Sequence, residues 1–330
     1  MKLNIWGIVI IVAALTSLAS VGGTFLYLSM NERQSLVIAT TTSLFDTGVL
    51  DELETHFEAK YNIDLYFVSV GSGIAIQFAQ RGDADMLLVH APLDEFAFLE
   101  GGYGVNRKIF AYNFFEIVGP KEDPAKISDL SPTEALSKII DAGRGSKALW
   151  VSRGDNSGTH SKEKQLWEAA GFNWTQIKDE SHWFIETGSG MGNTLKTANQ
   201  LHAYTLTDIG TYLSYSLSTS NLIPNLVELV TEGQDLLNVY SAIVVNPTHN
   251  LKVKFENAMT FIKYVMSEEG QQIIEEHGLS TYGQPLFRPA VNLLKQDTSN
   301  TIAQMIREYA FFQGTECPPQ YRYEYSDLYG

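Results

Sequence analysis

Cysteine occurs once in the 330 residues, at Cys317, so neither an intrachain disulfide nor a cysteine-based zinc site is open to the chain. Basic residues are scarce as well. Against 38 Asp and Glu stand 23 Lys and Arg, a formal charge of −15 that argues against a nucleic-acid or anionic-membrane surface. No G-x-x-x-x-G-K-[ST] loop is present, and Gly188-Ser189-Gly190-Met191-Gly192 lacks the dinucleotide spacing. The seven histidines are scattered without an H-E-x-x-H pair, which leaves a metal cation site little support. None of this forbids an anionic ligand. Surface charge is screened beyond about 8 Å, whereas buried donors act at contact. An acidic chain that holds an anion must do so locally, mostly with neutral dipoles.

Charge is missing altogether from residues 5–28, a run of 24 preceded by Lys2 and followed by Glu32 and Arg33. That exceeds a signal-peptide core of about 7–15 residues and suits a spanning helix of about 20. The expectation is an uncleaved N-terminal membrane anchor over residues 1–34, with the remainder outside the cell. Leu18-Ala19-Ser20 keeps a cleaved signal open, and the lack of a following cysteine excludes a lipid anchor.

Beyond it, short apolar runs alternate with helical spacing. Leu36-Val37-Ile38-Ala39 reads as a buried strand, followed by Thr40-Thr41-Thr42-Ser43 and a helix marked by Val49, Leu50, Leu53 and Phe57. Residues 63–70 form the next strand, and Gly71-Ser72-Gly73 opens a second helix. Met86-Leu87-Leu88-Val89 is a third strand. Taken alone, the hydroxyls are helix caps and the glycines a flexible turn. Asp83 and Asp85 read as solvated turn residues. The β-α-β-α-β order predicts an α/β lobe. Residues 109–118 read as the passage to a second lobe and 238–245 as the return. Between them, Ser131-Pro132-Thr133-Glu134 is a capping box whose helix is expected to stop at Gly143. Residues 202–206 are expected as a strand, and Trp167 and Trp174 as core.

The stretch that organises the second lobe is Ser152-Arg153-Gly154-Asp155-Asn156-Ser157-Gly158-Thr159-His160, set between the apolar run 148–151 and a helix. A helix start offers uncommitted N–H groups and the positive end of the dipole. Arg153 adds a fork of donors with no acceptor. An anion cradle is the first reading. A serine hydrolase acting through Ser157 is the alternative of a different class, but Ser157 lies one position off the G-x-S-x-G elbow. His160 is expected to cap or face solvent. A further strand–turn–helix junction follows at Thr187-Gly188-Ser189-Gly190-Met191-Gly192. Asn173-Trp174-Thr175 has the form of a glycosylation sequon.

Together Thr40-Thr41-Thr42-Ser43, Val70-Gly71-Ser72-Gly73, the Gly82-Asp83-Ala84-Asp85 segment through Ala91, Val151 through His160 with Lys162-Glu163, and Glu186-Thr187-Gly188-Ser189-Gly190-Met191-Gly192 resemble the Tup-type tungstate-binding proteins of ABC importers. Ala203-Tyr204-Thr205-Leu206-Thr207-Asp208 and Tyr282-Gly283-Gln284-Pro285-Leu286-Phe287 fit as well. The resemblance runs from about Leu36 to Pro289. It implies a two-lobed type II periplasmic-binding-protein fold of the α/β class, each lobe a mostly parallel sheet flanked by helices. The expected division is 35–114 and 241–314 for the first lobe, 115–240 for the second and 315–330 for a tyrosine-rich tail whose role stays open. The resemblance further implies a monomeric, non-enzymatic protein without a cofactor, whose ligand is the tungstate oxyanion and whose partner is a membrane permease. It assigns the oxyanion to Arg153 and Thr159, with Thr42, Ser43, Ser72 and Ser157 as hydroxyl or N–H donors and the Gly190-Met191 turn closing the second-lobe side. Molybdate has nearly the same size and charge. Phosphate is the runner-up, favoured if Asp155 points into the cleft to accept the proton that phosphate retains.

Overall fold

The computed structural model describes residues 33–329 other than 218–219, 232 and 297–299. The expected anchor lies outside the described residues. Ten strands are placed: β1 (Gln34–Thr41), β2 (Ile63–Val70), β3 (Met86–Val89), β4 (Gly104–Pro120), β5 (Trp150–Ser152), β6 (Phe184–Glu186), β7 (Thr205–Asp208), β8 (Leu226–Val230), β9 (Leu237–Val245) and β10 (Arg288–Pro289). The first lobe's sheet runs β10-β4-β9-β3-β1-β2. β1 lies parallel to β2 and β3, and the crossover helices Val49–Lys60 and Ser72–Arg81 join them. In the second lobe β5 and β6 are parallel, and a bridge from Trp150 to Tyr204 brings in the segment before β7.

Antiparallel pairing enters with the two passing strands. β9 runs against both β3 and β4, and the far end of β4 pairs with β7 and β8. A chain that leaves one sheet and returns to it must travel in opposite directions, so the sheets are mixed where β4 and β9 cross.

One core fills the first lobe and runs on into the second through Val151, Met191 and Leu195, and another lies wholly in the second. Leu36, Ile38, Leu50, Leu53, Phe57, Met86, Leu88, Phe261 and Ile262 fill the first. Ile139, Ile140, Trp150, Trp167, Trp183, Phe184, Tyr204 and Leu206 fill the second. Each such side chain contributes about 1.5–3 kcal/mol by leaving water. Trp167 is in the core as expected, while Trp174 is only half-buried against it.

Several local expectations are corrected. The capping box is present, with Ser131 Oγ accepting from Glu134 N at 3.4 Å, but its helix continues through Gly143 to Arg144. Gly143 serves a close approach: a Cβ there would lie 2.6 Å from the Trp183 ring. β7 starts at Thr205 because His202 takes a left-handed conformation (φ 49) to cap the helix Met191–Leu201. Asp83 is exposed and paired with Arg81, but Asp85 is buried. It accepts from Val37 N at 2.8 Å and Lys254 N at 2.9 Å, tying β1 to the helix Phe255–Met266.

The tail packs on the first lobe. Phe312 stacks on Phe96 with centroids 4.7 Å apart, Lys108 pairs with Glu316 at 2.7 Å, and Tyr323 N donates to Asn106 Oδ1 at 2.8 Å. These partners, with Glu95 and the Ala310 carbonyl on Arg107, explain why Asn106, Arg107 and Lys108, polar and consecutive, can all be buried in a strand.

Candidate functional site

Four strand ends feed four helix starts. After β1, Thr41 Oγ1 accepts from Leu44 N at 3.3 Å and opens the helix Thr42–Asp46. After β5, Ser157 Oγ accepts from His160 N at 3.2 Å and opens Gly158–Ala169. The helices Ser72–Arg81 and Met191–Leu201 begin instead at Gly71 and Gly190, and no side chain caps either. A glycine in the capping position leaves first-turn N–H groups accessible to a ligand.

Arg153 is the centre of the arrangement. It is 1% exposed, and its three nitrogens take three directions. Nη2 donates to Thr42 Oγ1 at 2.7 Å, Nη1 to Thr159 Oγ1 at 3.5 Å and Nε to Asp155 Oδ2 at 2.8 Å. The other oxygen of Asp155 accepts from Ser157 N at 3.1 Å. Both carboxylate oxygens are therefore engaged within their own turn.

Close approaches bring the other turns in. A Cβ on Gly71 would lie 3.4 Å from Ser157 Cα, and one on Gly190 3.9 Å from Thr42 Oγ1. Gly73 N donates to Asn156 O at 3.4 Å.

The expected residues thus fall into groups. Thr42, Arg153 and Thr159 are linked directly. Ser43 is buried beside them, its Oγ 3.3 Å from Thr41 Oγ1 and 3.4 Å from His90 Nε2. Ser72 is wholly buried, and its Oγ has no hydrogen-bond partner among the described residues. An orphaned buried hydroxyl is costly unless something else takes its proton. Ser157 uses its oxygen as a cap. Gly190 supplies a helix start. Met191 sends its side chain into the apolar core, which leaves only its backbone N–H for a ligand.

His160 takes the capping role expected of it and does not face solvent. It is buried, its Nδ1 accepts from Asn156 N at 2.9 Å, and its ring lies 5.2 Å from that of Trp174. That imidazole is committed to the backbone of its own turn, so it is not a base for Ser157. The serine-hydrolase geometry is absent from this pair.

His90 was not among the expected residues. It follows β3, donates toward Asn238 Oδ1 at 2.8 Å and stacks on Tyr240 with centroids 4.9 Å apart. A Cβ on Gly158 would lie 2.7 Å from its ring. Burial lowers its pKa to about 4, so the ring is neutral. The signal in the sequence was its place one residue past the carboxyl end of a buried strand, where ligands of open α/β sheets bind. Two further buried charges flank the cradle. Glu163 accepts from Trp150 Nε1 at 2.7 Å and Ser152 Oγ at 2.8 Å, and burial raises its pKa to about 7. Lys162 lies 3.9 Å from the Tyr309 ring, and burial lowers its pKa to about 7.

Two lobes, uncapped helix starts at their junction and a buried guanidinium define a binding protein for a small anion. Residues 28–269 match the family model described as the PBP superfamily domain. The chain belongs to that superfamily and, within it, to the TupA family. It is 40% identical over 258 residues to the tungstate-binding protein TupA of Peptoclostridium acidaminophilum, covering 77% of this chain and 85% of that protein. A solved tungstate-binding protein, TupA from Desulfovibrio alaskensis G20, is 40% identical with a TM-score of 0.66, over 78% of this chain and 98% of that one. A tungstate ABC transporter structure from Geobacter sulfurreducens is 41% identical with a TM-score of 0.63, over 73% and 97%.

Proposed function

We propose that this protein captures tungstate between its lobes and delivers it to the permease of an ABC importer. The observation that carries the reading is the convergence on Arg153, whose fork ends on Thr42 from one lobe and Thr159 from the other. Tungstate has no proton at neutral pH, so its site must supply donors only. The donor set is Thr42, Ser43, Ser72, Arg153, Ser157 and Thr159, with backbone N–H groups at the Gly190-Met191 turn. About six charge-assisted hydrogen bonds at ~1.5–3 kcal/mol each leave room for tight binding after association costs of several kcal/mol. The lobes comprise 35–114 with 241–314, and 115–240. Donors on both reward closure over the anion.

The orientation of Asp155 supports a proton-free anion over phosphate. Each of its oxygens is already held by a donor of its own turn, Arg153 Nε or Ser157 N, which orients the carboxylate toward that turn and disfavours its use as the acceptor of a phosphate proton. The choice of tungstate over molybdate is supported by the relatives and not by size or charge. The protein acts as a monomer outside the cell, held at the membrane by residues 1–34; among the described residues no helix is long and apolar enough to cross a membrane.

Competition calorimetry with tungstate, molybdate, sulfate and phosphate tests the reading. Tungstate is expected to bind most tightly and phosphate to fail as a competitor. Tighter binding of phosphate, or no heat with tungstate, overturns it.

A further inference from the structure

A line of buried amides runs from the first-lobe backbone to the cradle, and it fixes the tautomer of His90. It starts at the Leu286 carbonyl, which can only accept. Asn113 therefore presents Nδ2 to it, at 3.2 Å, and turns Oδ1 the other way. Asn238 must meet that oxygen with its own Nδ2, at 2.8 Å, while also donating to Tyr240 Oη at 2.8 Å. Asn238 Oδ1 then faces His90 Nδ1 at 2.8 Å, so Nδ1 carries the proton. In the neutral ring Nε2 is left with a bare lone pair. The hydroxyl beside it is that of Ser43, at 3.4 Å.

This arrangement has the wrong sign for a fully ionised guest. A Ser43 hydroxyl that gives its hydrogen to Nε2 offers only lone pairs elsewhere. A dianion in the cleft needs the opposite orientation. If Ser43 merely rotated toward the anion, Nε2 would become an unpaired buried acceptor, which is costly. One change satisfies both groups. A proton on Nε2 lets His90 donate to Ser43 Oγ and releases the serine hydrogen to the anion.

We propose that His90 takes up one solvent proton on Nε2 as the anion binds, switching Ser43 from acceptor to donor. The inference rests on the oxyanion reading of the cleft. His90 acts through Ser43, so it is a positioning residue. The charges that face it come from three neighbours. Arg153 and Lys162 oppose its protonation and Asp155 favours it, while the stacked rings of Tyr240 and Phe115 are neutral. Arg153 and Asp155 are paired with each other, and a bound dianion adds two negative charges to this balance. The bound-state pKa of His90 therefore lies above its free-state value. Binding is tightest below the bound-state pKa, and the advantage is lost as pH rises through it.

The test is titration calorimetry of the full chain with sodium tungstate in two buffers of different ionisation enthalpy. At about pH 6 the expected result is net uptake of roughly half a proton or more per anion, with Kd lower by about twofold or more than at about pH 7.5. Tungstate binding with no uptake and no pH dependence overturns the inference and leaves the functional reading standing. No tungstate binding overturns both. His90→Gln supplies an amide donor that does not titrate, so its binding is expected to be nearly independent of pH. Uptake undiminished in that variant would place the proton elsewhere and also overturn the inference. The wild-type measurement decides the matter if the variant does not fold.

Discussion

Arg153 Nη2 lies 2.7 Å from Thr42 Oγ1, a contact between residues 111 apart in sequence that closes the junction of the two lobes. The same guanidinium holds Asp155 and Thr159 in its own turn, so one side chain joins two turns. Arg153→Gln keeps some polarity but loses the charge and the fork. Tungstate affinity is expected to fall by more than about tenfold, since a hydrogen bond to a charged group is worth ~1.5–3 kcal/mol. Calorimetry on the variant checks this. Unchanged affinity would remove Arg153 from the site.

Gly158 is the first residue of its helix and lies against His90. Gly158→Ala places a methyl 2.7 Å from the imidazole, which stacking on Tyr240 holds in place. The turn must shift, and overpacking of this kind costs about 1–3 kcal/mol. The variant is expected to fold with a lower Tm and to bind tungstate more weakly than the parent. Thermal melts with and without tungstate read both effects.

Burial raises the pKa of Glu163 from 4.5 to about 7, so the native state favours its protonated form. Its contribution to stability is full below the unfolded value and is lost as pH rises through about 7. Glu163→Gln removes the titration and keeps an acceptor for Trp150, while its amide nitrogen meets Ser152 Oγ as a donor in place of the acceptor there now. Between about pH 5 and pH 8 the parent is expected to lose about 1–3 kcal/mol more than the variant. Chemical denaturation at the two pH values measures the difference. Parallel pH profiles would show that Glu163 does not titrate there.

Glu95 and Arg107 form an ion pair at 2.8 Å with neither side chain exposed to solvent. Arg107 Nη1 also donates to Ala310 O and Glu316 O, which fastens the tail to β4. Glu95→Ala leaves a buried guanidinium without its counter-charge and is expected to cost about 3–5 kcal/mol. Joint replacement by Glu95→Leu and Arg107→Met is expected to cost less than the single change. Denaturant unfolding of the two variants ranks them. The reverse order would mean that the pair is not what holds this region.

How much of this could be read from the sequence depended on the range of the interactions involved. Leu36-Val37-Ile38-Ala39 and Met86-Leu87-Leu88-Val89 are strands because their own composition demands burial, and Ser131 with Glu134 caps a helix within four residues. The clustering of hydroxyls and glycines after strands marked the junctions now found together. Long-range partners left no such trace. Asn106 and Lys108 lie within β4 because residues beyond Phe311 return to satisfy them, and Arg107 because Glu95 faces it. Asp85 is buried because Lys254 N reaches it from far along the chain. His160 is covered by Trp174 and engaged by its own turn, neither of which spacing reveals. His90 owes its place to Asn113 and Asn238, which read only as members of strands.

β4 runs as 17 residues through both sheets, and β9 lies along its first half. The lobes are thus connected by a woven ribbon instead of two slack tethers. Such a ribbon is straightest where its pairing is regular and bends where its weave is uneven. The register of β4 slips near Lys108, near Ala111 and between Ile117 and Val118. A bulge bends its strand and raises its twist locally, so the curvature of the ribbon is concentrated at those slips.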